Sequence, residues 1–279
     1  MQTKINFHTH TTFCDGNNSP EEMVQAAINC GMSALGFSGH AMVPFASDWH
    51  IAPREFQNYI NEINSLKHKY SDKIQVFCGF EADFIPGFTK PDKEVYKSFS
   101  PDFLIGSVHY VQNERGFYTV DGPIEEVKFG VENLNNGNGK QAVCQYFEAQ
   151  RQMLESSDFE IWGHPDLVRK RNGILQFFDE NDSWYKEELN ATVKSAQKSG
   201  IVAEINSGAI FRGAMNDFYP SEYFLQLLFD AGIPICINSD AHDVKGIDCK
   251  FEEAAARAKK IGYKELIYPV AGKNLTVKL

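Results

Sequence analysis

The chain has 279 residues, 43% of them hydrophobic, and a formal net charge of −10. That is enough apolar material for one large core, and a single α/β barrel is an ordinary outcome at this length. The acidic balance argues against a basic surface for nucleic acid, and no apolar run is long enough to span a membrane.

Met1-Gln2-Thr3-Lys4-Ile5 leads directly into a first apolar run, Ile5 to Phe7, without room for a signal peptide. Six cysteines (Cys14, Cys30, Cys78, Cys144, Cys236 and Cys249) form no CxxC pair, and Cys30, Cys78 and Cys236 fall in patterns that suggest burial. The expectation is a reducing compartment and a cytoplasmic protein. Ser19-Pro20-Glu21-Glu22 supplies an N-cap, a proline at the first helical position and the glutamate of a capping box. Met23, Ala26, Ala27 and Cys30 then follow helical spacing, and Gly31 ends that helix.

Ala34 to Phe37 is the second strand. A longer helix opens at Pro53, with Phe56, Tyr59, Ile60, Ile63 and Leu66 on one face, followed by strands at Ile74 to Phe80 and Phe103 to Ile105. Residues 110–140 break the rhythm, ending in Asn135-Asn136-Gly137-Asn138-Gly139, which reads as flexible. An insertion at a strand exit commonly shapes a substrate pocket. Helices near Gln141 to Leu154, Asn181 to Ser199, Ser221 to Ala231 and Phe251 to Ile261 alternate with strands at Phe159 to Trp162, Ile201 to Ile205 and Ile233 to Ile237. A short apolar run, Leu266 to Tyr268, closes the list.

Helices alternating with nearly continuous apolar strands mean parallel β/α units. The expected fold is therefore a single-domain α/β protein over residues 1–279, a distorted, seven-stranded TIM-like (β/α)7 barrel with a pocket-shaping insertion at about 110–140. An open doubly wound sheet is the competitor, but no GxGxxG follows the first strand.

Eight histidines occur, and six of them, His8, His10, His40, His109, His164 and His242, sit just after short apolar runs. His8 and His10 project to the same side of an extended strand and can share one ion. In a barrel the strand C-termini converge on one rim, where active sites sit. Adding Asp15, Glu81 and Asp240 gives nine donors, too many for one ion, and Glu81 is the carboxylate placed to bridge two. A buried hydrogen-bonded network is the plain alternative, but so many ionisable groups would repel or remain undersatisfied without cations. His50 and His68 read as ordinary histidines, and Cys14 as a bystander.

These residues resemble the PHP (polymerase and histidinol phosphatase) superfamily, in which four motifs at strand ends of a distorted seven-stranded barrel hold a trinuclear metal centre. His8-Thr9-His10-Thr11-Thr12-Phe13-Cys14-Asp15-Gly16, Gly106-Ser107-Val108-His109-Tyr110, Gly163-His164-Pro165-Asp166 and Tyr219-Pro220-Ser221 are similar to the histidinol-phosphatase branch. The resemblance implies a first metal on His8, His10, Glu81 and Asp240, a second on Glu81, His109 and His164, and a third on Asp15, His40 and His242. Asp15 departs from the histidine found there in several members. Two to three divalent ions, zinc, manganese or iron, would be the cofactors.

The implied activity is a phosphomonoesterase hydrolysing L-histidinol phosphate, in histidine biosynthesis, by attack of a metal-bridging hydroxide. Glu81, Asp240 and His242 would be its catalytic side chains. Arg169, Arg171, Arg212 and Asn206 are candidates for the phosphate, with Lys170 beside them, and Asp83, Phe117, Tyr118 and Asp121 for the ammonium and imidazole. The partner is a small phosphate ester, and barrels of this size occur as monomers and dimers alike. A nucleotide phosphodiesterase and a non-catalytic metal-binding domain are the competing functions; an amidohydrolase is disfavoured by the lack of a strand-end lysine to serve as a carbamylated bridge.

Overall fold

The computed structural model describes residues 3–279, so Met1 and Gln2, on which the leaderless N-terminus partly rests, lie outside the described residues. Seven parallel strands form the central sheet: β1 (Lys4–Asn6), β2 (Met32–Phe37), β3 (Gln75–Asp83), β4 (Phe103–Ser107), β7 (Ile161–Trp162), β8 (Val202–Asn206) and β9 (Ile235–Asn238), in the order β1-β2-β3-β4-β7-β8-β9. The expected α/β barrel of seven strands is what the chain adopts. Among the described residues, no helix is long and apolar enough to cross a membrane.

Inside the barrel, the ring of Phe7 stacks on Phe103 at 5.0 Å and meets Phe77 and Tyr268 edge-on. Such a filling demands small neighbours. A Cβ at Gly36 or Gly79 would stand 2.8 or 2.6 Å from the Phe103 ring, so both strands carry glycine where the aromatic crosses them. Outside, Phe56–Lys69 buries the five apolar residues of its predicted stripe, and Pro20–Asn29 begins with the reciprocal Ser19 and Glu22 bonds of a capping box. Together, these helices cover β2 and β3 and fix the direction in which their ends point.

The closing seam, between β9 and β1, is made differently from the rest. Only beyond the strand ends do main chains meet, where His10 N–H donates to the Ala241 carbonyl at 2.9 Å and Ala241 N–H to that of His8 at 3.2 Å. Below that point, side chains stand in for the missing ladder. Asn238 Oδ1 accepts from Phe7 N–H, Asn6 Oδ1 from Ser239 N–H, and the Tyr268 hydroxyl bridges the amide and carbonyl of Ile237. Tyr268 belongs to a terminal hairpin, β10 (Glu265–Val270) with β11 (Lys273–Lys278), of which sequence reading caught only the central run.

Residues 110–140 form a hairpin, β5 (Tyr110–Asn113) with β6 (Gly116–Thr119), and a helix, Ile124–Phe129. The Asn-Gly run is not the flexible tether expected. Asn135 is fully buried and bonds to the Gly130 carbonyl, and Asn138 Oδ1 caps the helix Gly139–Ser156 by accepting from Gln141 N–H. Asparagine side chains that stand in for backbone groups, Asn135 as a donor and Asn138 as an acceptor, explain the difference.

Replacing Tyr268 with Phe leaves both Ile237 groups without their bridge in a dry interior. A loss of about 1–3 kcal/mol is expected, read as a lower denaturation midpoint in urea, with the chain still folded. An unchanged midpoint would show that the hydroxyl contributes nothing to the seam.

Candidate metal centre

The strand ends deliver one carboxylate into a ring of imidazoles. Glu81, on β3 and 1% exposed, turns Oε2 toward His8 Nε2 (3.0 Å), His40 Nδ1 (3.1 Å) and His10 Nε2 (3.4 Å). Its other oxygen, Oε1, faces His164 Nε2 (2.8 Å) and His109 Nε2 (3.6 Å) and accepts from the Ser107 hydroxyl at 2.6 Å. Asp240 Oδ1 lies 3.3 Å from His10 Nε2 and 3.7 Å from His8 Nε2. Asp15, at the rim, meets His242 Nε2 at 3.1 Å and His40 and His10 each at 3.7 Å. All nine expected donors therefore converge.

Closeness alone would fit a hydrogen-bonded network, but the pairing does not. His8 Nε2, His10 Nε2, His40 Nδ1, Glu81 Oε2 and His164 Nδ1 are buried atoms without a hydrogen-bond partner. Buried polar atoms are seldom left so. Two donors held about 2.1 Å from one cation at tetrahedral or octahedral angles stand about 3.0–3.4 Å apart, which is the spacing around Glu81 Oε2. Donors within 4.8 Å of one another fall into four overlapping groups: His8, His10 and Glu81; His8, His164 and Asp240; His40, Glu81 and His109; and His10, Asp15, His40 and His242. The donor set fits hard to borderline divalent cations.

Further carboxylates aim the rings. His8 Nδ1 is 2.9 Å from Glu204 Oε2, and Glu204 is held by the side-chain amides of Asn206 and Asn238 and the His164 N–H. His109 Nδ1 is 2.8 Å from Asp83 Oδ1. In the neutral ring, donation from Nδ1 leaves Nε2 as the lone pair that faces Glu81. His164 and Asp240 reach inward from left-handed backbone, at φ 25° and 51°. Such a conformation is uncommon for non-glycine residues and tends to occur at functional sites.

The buried carboxylates and imidazoles shift one another's ionisation. Burial opposes ionisation of Glu81, yet His8, His40 and His109 hold its carboxyl well below the usual range. Burial likewise disfavours charge on His109, but Asp83 and Glu81 outweigh it and push its pKa up to about 10. His8 moves the same way, against its burial, under Glu204, Glu81 and Asp240. His40 is driven down by burial and by His10. Burial pushes the Cys14 thiol up to about 12, so it stays a neutral donor to the Thr11 carbonyl.

Above the donors opens a cavity of about 680 Å³. Arg212 and Lys170 stand in its wall, with Phe45, Trp49, Tyr110 and Phe117 forming an aromatic side and Asp48, Asp121 and Glu126 an acidic one. Arg212 donates to Asp240 Oδ2 at 2.9 Å, to the Asp240 carbonyl and to His242 Nδ1. Gly208 permits this, since a Cβ there would lie 2.8 Å from both the guanidinium and Asp240 Oδ2.

Three expected phosphate contacts give way. Arg169 is buried and committed to Glu180, Asp217 and the Phe218 carbonyl, a strut between loops. Arg171 donates to the carbonyls of Gly122 and Asp121, tying its loop to the insertion. Asn206 bonds to Glu204 and accepts from Gly208 N–H, so it shapes a turn. Asp83 and Tyr118 are likewise buried away from solvent, whereas Phe117 and Asp121 line the cavity.

Sequence reading also passed over Glu204, the aiming role of Asp83, and His50, which proves to be an Asp83 partner at 2.9 Å. A lone carboxylate inside the apolar run Ile201 to Ile205 was the available signal for Glu204.

With the site described, its relatives can be set beside it. The family model of the PHP domain matches residues 6–208. The chain belongs to the PHP domain family. A Deinococcus radiodurans protein named "Probable histidinol-phosphatase" is 26% identical over 258 residues, covering 91% of this chain and 92% of the relative. The Bacillus subtilis histidinol-phosphatase is 22% identical over 262 residues, covering 88% and 96%. Among solved structures, histidinol phosphate phosphatase of Lactococcus lactis, complexed with zinc, L-histidinol and phosphate, superposes with a TM-score of 0.73 at 22% identity, covering 98% of this PHP chain and 99% of that one.

The raised pKa values of His8 and His109 favour their protonated forms in the metal-free PHP chain. Loading with zinc at pH 7 is therefore expected to release protons, and the affinity to fall as pH falls. Calorimetry in buffers of different ionisation enthalpy checks this; a heat independent of buffer would mean that both rings are already neutral.

Proposed function

We propose that this PHP chain is a metal-dependent phosphomonoesterase acting on L-histidinol phosphate. The observation that carries the reading is Glu81, a buried carboxylate among five imidazoles at the floor of a cavity, where His8 Nε2, His10 Nε2, His40 Nδ1 and Glu81 Oε2 are left without hydrogen-bond partners. His8, His10, Glu81 and Asp240 would hold one cation, Glu81, His109 and His164 a second, and Asp15, His40 and His242 a third. Such cations, when bound, acidify water and neutralise charge on a phosphoryl group.

The protein's own contribution is placement. Glu81 supplies an oxygen to each of the first two sets, and Glu204 and Asp83 lock the tautomers of His8 and His109. Asp240 is kept ionised, against its burial, by Arg212 and His8, which removes it as a proton carrier for the leaving alkoxide. His242 Nε2 stands at the cavity edge beside Asp15, where it would serve the third cation. Arg212 has N–H groups beyond those spent on Asp240 and His242 and replaces Arg169 and Arg171 as the grip on phosphate oxygens, with Lys170, paired to Asp121 at 2.7 Å, beside it in the cavity wall.

The insertion at 110–140 shapes the far side of the cavity. Tyr110 and Phe117, packed against Trp49 and Phe45 in one aromatic wall, offer ring surface for an imidazole, and Asp48 and Glu126 offer charge for an ammonium. The histidinol-phosphatase relatives and the Lactococcus lactis complex support this substrate over a nucleotide diester. A pocket of this size suits one small ester.

Metal-reconstituted protein should release phosphate from L-histidinol phosphate with a kcat/KM well above that for a generic phosphomonoester or a phosphodiester, and His8→Ala should abolish it. Preference for the diester would overturn the substrate. Arg212→Ala should raise KM for L-histidinol phosphate with metal content unchanged, and an unaltered KM would take that residue out of the phosphate site.

A further inference from the structure

Trp49 sits where the aromatic wall of the cavity meets the metal donors. Its ring lies 3.7 Å from that of His50, stacks on Tyr110 at 5.7 Å, and stands edge-on to His40 at 4.6 Å and to His109 at 5.4 Å. The loop that carries it, with Phe45, Ser47 and Asp48, belongs to no strand or helix. Something other than secondary structure has to hold it over the pocket.

Beside the main-chain bond from Ile51 N–H to the His40 carbonyl, the hold is a chain of three hydrogen bonds that ends at a proposed metal donor. Ser47 Oγ meets His50 Nδ1 at 2.7 Å, His50 Nε2 meets Asp83 Oδ2 at 2.9 Å, and Asp83 Oδ1 meets His109 Nδ1 at 2.8 Å. His50 and Asp83 are 6% and 2% exposed, so water does not compete for these contacts. Asp83 thus has one oxygen on the ring that faces Glu81 and the other on the ring that pins the loop. One carboxylate serves two masters, and neither ring can shift without altering the bond left to the other.

We infer that His50 is a positioning residue that couples occupancy of the Glu81, His109 and His164 donor set to the placement of the Trp49 loop, and through it to selection of the substrate's ring-bearing end. The inference rests on those residues being metal donors. Its logic is thermodynamic: if the placed loop favours the aimed His109, a cation that needs the aimed His109 favours the placed loop by the same factor. A metal-poor chain would then bind the ring of its substrate poorly, and a displaced loop would loosen the metal.

The test uses full-length protein titrated with zinc ions, with Trp49 emission read as the difference from a Trp49→Phe variant. In the wild type, zinc should change that emission. His50→Ala should weaken apparent zinc affinity about tenfold. The same variant should abolish the emission change and raise KM for L-histidinol phosphate several-fold, while KM for ethyl phosphate, which has no ring, stays within a factor of two.

His50→Gln retains an N–H for Asp83 and should recover most of both effects. Ser47→Ala cuts the chain on the loop side, without touching Asp83, and is the deciding variant if His50→Ala folds badly: coupling requires it to weaken zinc binding about two- to fivefold. Movement of the emission and KM with zinc affinity unchanged, or the reverse, overturns the inference. A wild type that binds no zinc overturns the metal reading and this inference with it; a wild type that binds zinc beside indifferent His50 and Ser47 variants overturns this inference alone.

Discussion

A carboxylate buried among imidazoles sets the terms for everything else in this molecule. Glu81 is out of reach of water, yet the residues around it compete with it for protons and cannot all be satisfied by one another. Placing an ionised group in such a medium is costly unless charge and directed bonds compensate. The structure answers in layers: inner rings aimed at Glu81, outer carboxylates behind the rings, and amides of Asn206 and Asn238 behind one of those carboxylates. Each layer offsets part of the cost of the one inside it.

Such layering explains why conserving charge type is not the same as conserving role. Asp83, Glu204, Glu81 and Asp240 are four buried carboxylates within one barrel mouth. Two offer oxygens to the central space, and two are turned backward onto Nδ1 atoms. Position along the strand decides which: Glu81 and Asp83 are two residues apart on β3 and so share a face, but Asp83 lies one step farther out, level with the rim loops.

Much of this was legible in the amino-acid order. The seven strands announced themselves as short apolar runs, and histidines placed just after those runs had to meet on one rim once the strands were parallel. What was not legible were roles fixed by contacts distant in sequence. Arg169 looked like a phosphate ligand because it follows His164 closely, but its partners, Glu180 and Asp217, come from elsewhere in the chain. His50 looked ordinary for the same reason, its meaning supplied by Asp83 thirty-three residues away. The Asn-rich run at 135–139 misled in another way, since composition that favours flexibility also supplies caps.

The barrel seam carries a further implication. His8 and His10 give the backbone groups that bond to Ala241, and Ala241 lies between Asp240 and His242. His8 and His10 therefore close the barrel with their main chains and face the central charge with their side chains, while Ala241, on the other lip, carries Asp240 and His242 on either side of it. Along this line β1 and β9 share little regular ladder, so it is the place where the cylinder would part first in a local opening, and parting would scatter donors from both lips. A cation held by donors from both lips would act as a clasp across the gap. Slow amide exchange at His10 and Ala241 would then be a property of the filled site more than of the sheet, and the barrel's circularity becomes something the cofactor helps to maintain.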